Sequence, residues 1–335
     1  MKRPLLVFTH GGGRLGNQLI NFAHIYSFWK EHSKELDIIN MAFWPFYNLF
    51  TGTSSNPVCL LSEFENFYPG YYLLNRSFND LFDKNRRSLN PFIRFIHLNY
   101  HVWPSAQSIM KGETPNYLKY LTGKLMQDFN FDSEVSRTML MNKRRTALAG
   151  WPVRCWDLFE KHQDSVRNYF RFENPYRAVS EEYINGLRSR YDKVIGIFIR
   201  QGDYKIWYDG MYFFDIEFYN SIMNDIAEQY HANSKVCFVI ASDDVQNMDE
   251  FKNHDVYFST GSKSMGGHFA ESLAELSLCD LIVSPPSTFG VLASFLGNVP
   301  LLPLYDKNQH FNEYNIIRNS IFDAIQHEHL SRSVK

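Results

Sequence analysis

The chain has 335 residues, 44% hydrophobic and 21% charged, which exceeds one ordinary core and suits two domains. Its formal net charge of −2 gives no field for wrapping nucleic acid, and no uncharged run approaches the roughly 18 residues of a membrane span. Four scattered cysteines (Cys59, Cys155, Cys237, Cys279) form no C-x-x-C pair, and neither they nor the 12 histidines show zinc-ligand spacing, so no metal is expected.

In chain order, Leu5 to Phe8 is a short apolar run ended by glycines, the pattern of a buried parallel strand. Leu15, Leu19, Phe22, Ala23, Tyr26 and Trp29 recur at helical spacing, which predicts a helix from about Arg14 to Lys30. A second strand is expected near Leu36–Ile39, completing a βα unit of an open sheet. Residues 41 to 145 are rich in aromatics, Asn and Pro and read as loops and short helices. Residues 155 to 170 read as helical, and "FENPY" (172–176) as a linker with a proline stop. Strand and helix then alternate: helix 178–190, strand 193–200, helix 215–230, strand 235–242, a helix from 244, strand 256–259, helix 269–278, strand 280–285, helix 288–296 and strand 300–304. This alternation predicts a second doubly wound domain.

"FTHGGGRLGNQ" (8–18) places Gly11, Gly13 and Gly16 at the G-x-G-x-x-G spacing of a dinucleotide loop. In a dinucleotide enzyme an acidic residue ends the second strand and binds the ribose. Here Asp37 precedes Ile38-Ile39, and Asn40 stands at the end. Cofactor binding, contact with another phosphate or ligand, and a plain tight turn all remain open from this loop alone. Its glycines permit close backbone approach, a helix start offers N–H groups, and Asn17 and Gln18 add amides suited to sugar hydroxyls.

Three strand ends in the second half carry ligand-type groups. "GIFIRQGDY" (196–204) puts Arg200 at the carboxyl end of a buried strand, where open sheets bind ligands. Its fork suits a diphosphate, and a plain Arg200–Asp203 salt bridge is the alternative. "FVIASDDVQ" (238–246) ends in Ser242, Asp243 and Asp244, whose carboxylates suit guanine or ribose, or else cap a helix. "VSPPSTFG" (283–290) starts a helix with Ser287 and Thr288, a phosphate site or again a cap. The basic clusters at Asn85-Arg86-Arg87 and Lys143-Arg144-Arg145 read as solvated faces, with membrane-surface contact as the alternative.

Together "GRLGNQ" (13–18), "FIRQGDY" (198–204), "ASDD" (241–244) and "SLCDLIVSPPSTFGVLASFLG" (277–297) resemble the α-1,2-fucosyltransferases of glycosyltransferase family 11, within the GDP-fucose-dependent fucosyltransferases. The resemblance implies an α/β protein of the GT-B kind, two facing Rossmann-like doubly wound domains. These are an acceptor-side domain over 1–172 and a GDP-sugar domain over 173–335. It implies an inverting, metal-independent enzyme that uses GDP-fucose as donor and a glycan as acceptor, in surface polysaccharide or glycan biosynthesis. The expected location is cytoplasmic, with room for peripheral membrane association.

Carried over by position, Arg200 binds the donor diphosphate and aids departure of GDP, and Asp243 or Asp244 contacts guanosine. Ser287 and Thr288 hold phosphate. Gly13, Arg14, Gly16 and Asn17 form the loop facing the sugar. No motif singles out a catalytic base, and Asp203, the nearest candidate, could equally orient Arg200 or a loop. The chain departs from the pattern at Phe198 in place of a histidine, at Gln201 in place of a second arginine, and at "GWPVRCW" (150–156), a loose echo of G-Y-x-Q-S. Those departures leave a non-catalytic sugar-nucleotide or glycan-binding homologue as one rival reading. An oxidoreductase using Gly11-Gly13-Gly16 is the other.

Overall fold

The computed structural model describes residues 4–10, 14–54, 56, 59–63, 117–120, 129–141, 145–150, 153–230, 234–251 and 254–318. The chain divides into two compact units, Met1–Arg171 and Phe172–Lys335.

In the first unit, β1 (Leu5–His10) is the middle strand of a five-stranded sheet with β2 (Asp37–Asn40), β3 (Leu60–Leu61), β4 (Tyr117–Tyr120) and β6 (Arg145–Gly150), ordered β3-β2-β1-β6-β4. All neighbours are parallel except the short β3. A separate parallel pair joins β5 (Phe129–Asn130) to β7 (Val153–Arg154). Helix α1 (Leu15–His32) follows β1, and its Leu19, Phe22, Ala23 and Phe28 are fully buried. Phe22 meets Phe43 and Phe170 edge-on at 5.0 and 5.3 Å, the preferred geometry for aromatic pairs. Asp37 opens β2 rather than preceding it. It is buried and accepts a 2.7 Å hydrogen bond from Ser62. Helix α2 (Glu134–Met141) follows β5, and the helical stretch 155–170 is two short helices, α3 (Trp156–Lys161) and α4 (Gln163–Tyr169), broken at His162.

The second unit opens with α5 (Asn174–Arg188), so "FENPY" is a helix start and not a linker with a proline stop. Glu173 caps it, and Pro175 lies in the first turn, where its missing N–H costs no helical bond. Five parallel strands follow: β8 (Lys193–Ile199), β9 (Val236–Ser242), β10 (Val256–Phe258), β11 (Leu281–Ser284) and β12 (Leu301–Pro303), ordered β10-β9-β8-β11-β12. In chain order this is third-second-first-fourth-fifth, the Rossmann arrangement, and the order reverses between β8 and β11.

Helices α6 (Ile216–Tyr230), α7 (Phe269–Leu276) and α8 (Thr288–Gly297) fill the connections. A core of Ile195, Ile197, Tyr219, Ile222, Phe238 and Ile240 joins the sheet to α6. The helix expected from 244 does not form. A single 3-10 turn, Met248–Glu250, takes its place, because local side chains compete for the backbone. Ser242 Oγ accepts from Asp244 N, Ser264 Oγ accepts from Gln246 N, and Asn247 caps the turn itself.

Candidate active site

The register of the second sheet sets the site. Ile199 pairs with Ser242, and Ile197 with Val283, so the carboxyl ends of β9, β8 and β11 lie side by side. Neighbouring strands are about 4.8 Å apart. Arg200, Asp243 and the Pro285–Ser287 turn are therefore brought together by the reversal in strand order, the usual ligand position of an open sheet.

Arg200 is largely enclosed, with 16% of its side chain exposed. Its Nε and Nη2 donate to Asp203 Oδ1 and Oδ2, both at 2.9 Å, and Nε lies 3.1 Å from Asp243 Oδ2. The guanidinium also lies 5.1 Å from the ring of Tyr204. Tyr204 is buried, and its hydroxyl donates to the carbonyl of Pro286. One side chain thus touches Arg200 and ties its loop to the turn before α8.

The two aspartates of "ASDD" do different work. Asp243 accepts from the backbone N–H groups of Gln201 (2.9 Å) and Gly202 (3.1 Å) and so folds the chain after β8. Asp244 faces outward. Lys263 donates to it at 3.1 Å, and Lys205 stands 3.9 Å away. The Lys263 hydrogen bond, helped by the Val245 N–H, holds its carboxyl below the usual range.

Ser287 caps α8, its Oγ accepting from Phe289 N at 3.2 Å, which leaves the hydroxyl proton free to be donated. Thr288 is the first helical residue and is partly exposed. The helix start lies tight against the strand end because residue 290 is glycine: a Cβ there would stand 2.2 Å from Ser284 Oγ.

In the first unit Gly11, Gly12 and Gly13 lie outside the described residues. Gly16 is buried in the first turn of α1, Asn17 is partly exposed there, and Arg14 is the exposed N-cap residue without a side-chain cap bond. The first-turn N–H groups are thus not capped by Arg14, and no acidic residue lies in that turn. With Asp37 at the start of β2 and Asn40 at its end, the carboxylate that a dinucleotide enzyme places there is not present. Arg86 and its neighbours lie outside the described residues, as do Lys143 and Arg144.

Sequence spacing missed a polar row on α1. Asn21 Oδ1 accepts from Val153 N (3.2 Å) and Arg154 Nη1 (2.8 Å), and His24 Nδ1 accepts from Cys155 N (3.1 Å). The row docks the segment "VRC" of "GWPVRCW" onto the helix. Asn and His three residues apart, on a helix that the apolar pattern already fixed, were its only sequence signal. Among the described residues, no group of three or more His, Cys, Asp or Glu could hold a metal ion, and no helix is long and apolar enough to cross a membrane.

With this geometry in view, the family model described as glycosyl transferase family 11 matches residues 156–323, half of the chain. The chain belongs to glycosyl transferase family 11. It is therefore a glycosyltransferase, and the matched segment contains every site residue of the second unit.

Among solved structures it is similar to an arginine-to-lysine variant of Arabidopsis thaliana FUT1 in complex with GDP. Identity is 14% over 95% of this chain and 75% of that one, with a TM-score of 0.54. It is also similar to POFUT1 in complex with GDP-fucose, at 13% identity over 89% of this chain and 95% of that one, with a TM-score of 0.50. At such identities the likeness is one of fold, and that fold is GT-B-like. No curated protein matches the sequence.

Proposed function

We propose that this family 11 glycosyltransferase moves fucose from GDP-fucose to a glycan hydroxyl, with inversion, in an α-1,2 linkage. The observation that carries the reading is the meeting of Arg200 and the Ser287-capped start of α8 at the strand reversal of the second unit. Departure of GDP requires a preorganised positive field at the diphosphate. A guanidinium clamped by Asp203 and Asp243, and a helix N-terminus carrying Ser287 and Thr288, supply that field without calling on a metal. Solved proteins of similar fold bind GDP or GDP-fucose, which supports the choice of nucleotide.

In this reading the acceptor oxygen forms the new bond to C1 of fucose while the bond from C1 to the β-phosphate oxygen breaks. The bonding pair leaves on GDP, and the acceptor proton, lost late as an oxocarbenium-like centre collapses, goes to solvent. Asp203 orients Arg200. Asp243 shapes the loop, and Asp244 with Lys263 borders the nucleoside. The first-unit residues Gly13, Arg14, Gly16 and Asn17 serve sugar hydroxyls. The context that fits is cytoplasmic, with peripheral membrane contact, in surface glycan synthesis.

Thermal-shift measurements with GDP, UDP, NAD and FAD, each with and without excess chelator, test the donor. Only GDP should raise Tm, and chelator should leave the shift unchanged. GDP-fucose should then turn over with a suitable acceptor. Saturable NAD binding with no response to GDP would overturn the reading.

A further inference from the structure

The loop that follows Arg200 contains a feature the donor chemistry does not use. Trp207 stacks on Tyr204 with ring centroids 4.7 Å apart and planes 26° apart, and Tyr208 stands perpendicular to Trp207 at 4.6 Å and 84°. The chain holds this corner by an unusual backbone. Tyr208 (φ 48°, ψ 46°), Asp209 (φ 54°, ψ 32°) and Gly210 (φ 73°) are consecutively left-handed, and only the glycine escapes the Cβ clash. The turn is closed by Met211 N to Tyr208 O at 3.0 Å and Phe213 N to Gly210 O at 3.1 Å.

Packing does not explain that strain, because none of the residues Trp207–Gly210 is buried. The turn presents its apolar groups to the outside: Ile206 is 83% exposed, Tyr208 44% and Met211 39%. We propose that the Trp207–Gly210 turn is a stacking surface for the pyranose rings of the acceptor glycan. This inference rests on the fucosyl-transfer reading above.

A sugar ring offers an apolar C–H face that an aromatic ring can cover, and hydroxyls that the Tyr208 phenol and the exposed Asp209 carboxylate can bind. Trp207 and Tyr208 meet edge to face and both also contact Tyr212, at 5.7 and 6.5 Å, so the outer face of this cluster, led by the exposed Tyr208 ring, is the surface a sugar would cover. Position supports the acceptor as occupant. A run of ring contacts, Arg200 on Tyr204 and Tyr204 on Trp207, joins the corner to the guanidinium, so a sugar seated there continues outward from the group assigned to the diphosphate. Charge disfavours an anionic lipid surface, since residues 203–217 contain Asp203, Asp209, Asp215 and Glu217 against Lys205 alone.

The test uses the full chain loaded with GDP on an array of immobilised oligosaccharides, comparing wild type, Tyr208→Ala and Tyr208→Phe. Tyr208→Ala should weaken the glycans bound by wild type by roughly tenfold, the scale of losing one stacked ring. Tyr208→Phe should keep most of the binding, and GDP affinity by calorimetry should be equal in all three. Unchanged glycan binding in Tyr208→Ala, or no glycan bound by wild type, overturns the proposal. Tyr208-dependent binding to phosphatidylserine vesicles in place of glycans overturns it as well. Failure of the wild type to bind GDP would instead sink the donor reading, so the two failures are separable.

Discussion

If Asp203 acts through Arg200, the two residues must behave as one unit in kinetics. The bidentate pair has both contacts at 2.9 Å, while Asp243 alone contributes one at 3.1 Å. Asp203 is 45% exposed, so its pairing adds no more than about 1 kcal/mol to stability and both alanine variants should fold. Arg200→Ala removes the cation aimed at the leaving diphosphate and should lower kcat/KM by roughly 10²–10³, about 2.7–4 kcal/mol. Arg200→Lys should recover little, because a point charge cannot reproduce the fork. Asp203→Ala leaves Arg200 with Asp243 and the Tyr204 ring but without its bidentate partner, and roughly a tenfold loss is expected, about 1.4 kcal/mol. In the double variant that tenfold should disappear, giving the rate of Arg200→Ala within a factor of about three. GDP release from GDP-fucose with a saturating acceptor is the assay. A multiplicative loss of roughly 10³–10⁴ in the double variant would refute the argument and make Asp203 an independent general base.

Four further outcomes follow from the surroundings of single residues in the two units. Asp243→Ala leaves the Gln201 and Gly202 N–H groups without their acceptor and removes one of the two carboxylates beside Arg200 Nε, which should cost about 2–4 kcal/mol and lower Tm by roughly 5–15 °C. Asp244→Ala, whose lysine partners are more than half exposed, should move stability by less than about 1 kcal/mol, and calorimetry separates the two. Asn17→Ala should lose transfer while GDP affinity stays nearly unchanged, and a large fall in GDP affinity would make the first-unit turn a nucleotide clamp. His24 is fully buried, and burial, reinforced by the charge of Arg154, holds its pKa well below the ordinary 6.5. The unfolded chain therefore takes up the proton first. His24 costs nothing above about pH 7, and stability falls by up to about 1.4 kcal/mol per unit as pH drops below 6.5. Denaturant melts of wild type and His24→Asn between pH 5 and 7 should differ by that slope, and parallel curves would show that His24 is not the group.

The sheet of the second unit was legible because buried parallel strands are continuous apolar runs, and "KVIGIFI" or "VCFVIAS" admit little else. The positions of the candidate site residues at strand ends were legible for the related reason that a polar group closing such a run must lie at the strand end. What the sequence hid was competition from side-chain hydrogen bonds, local ones from Ser242 and Asn247 and one from Ser264, 18 residues along the chain. "SDDVQNMDE" has helix-compatible residues, yet Ser242, Ser264 and Asn247 take the backbone groups a helix would have used. "FENPY" misled in the opposite direction, since proline stops a helix interior but starts a first turn. Likewise "DD" does not reveal that one carboxylate turns inward onto backbone N–H groups and the other outward onto lysines. That difference depends on register with β8, and register is a long-range property.

Two of the three departures from the family motif, Phe198 and Gln201, are explained by packing. Phe198 is buried and stacks on Phe289 at 4.7 Å, so the position that bears a histidine in the motif pins β8 to the start of α8. Gln201 donates to Phe214 O at 2.9 Å and accepts from Gln246 at 3.1 Å, and Gln246 also reaches Ser242. A second guanidinium at 201 would have to desolvate within that neutral network without a carboxylate of its own, because Asp203 and Asp243 already face Arg200. Both side chains are therefore committed to packing and hydrogen bonding around one arginine. On the proposed fucosyl-transfer reading, a site built this way concentrates the neutralisation of the departing diphosphate on Arg200 and the α8 start.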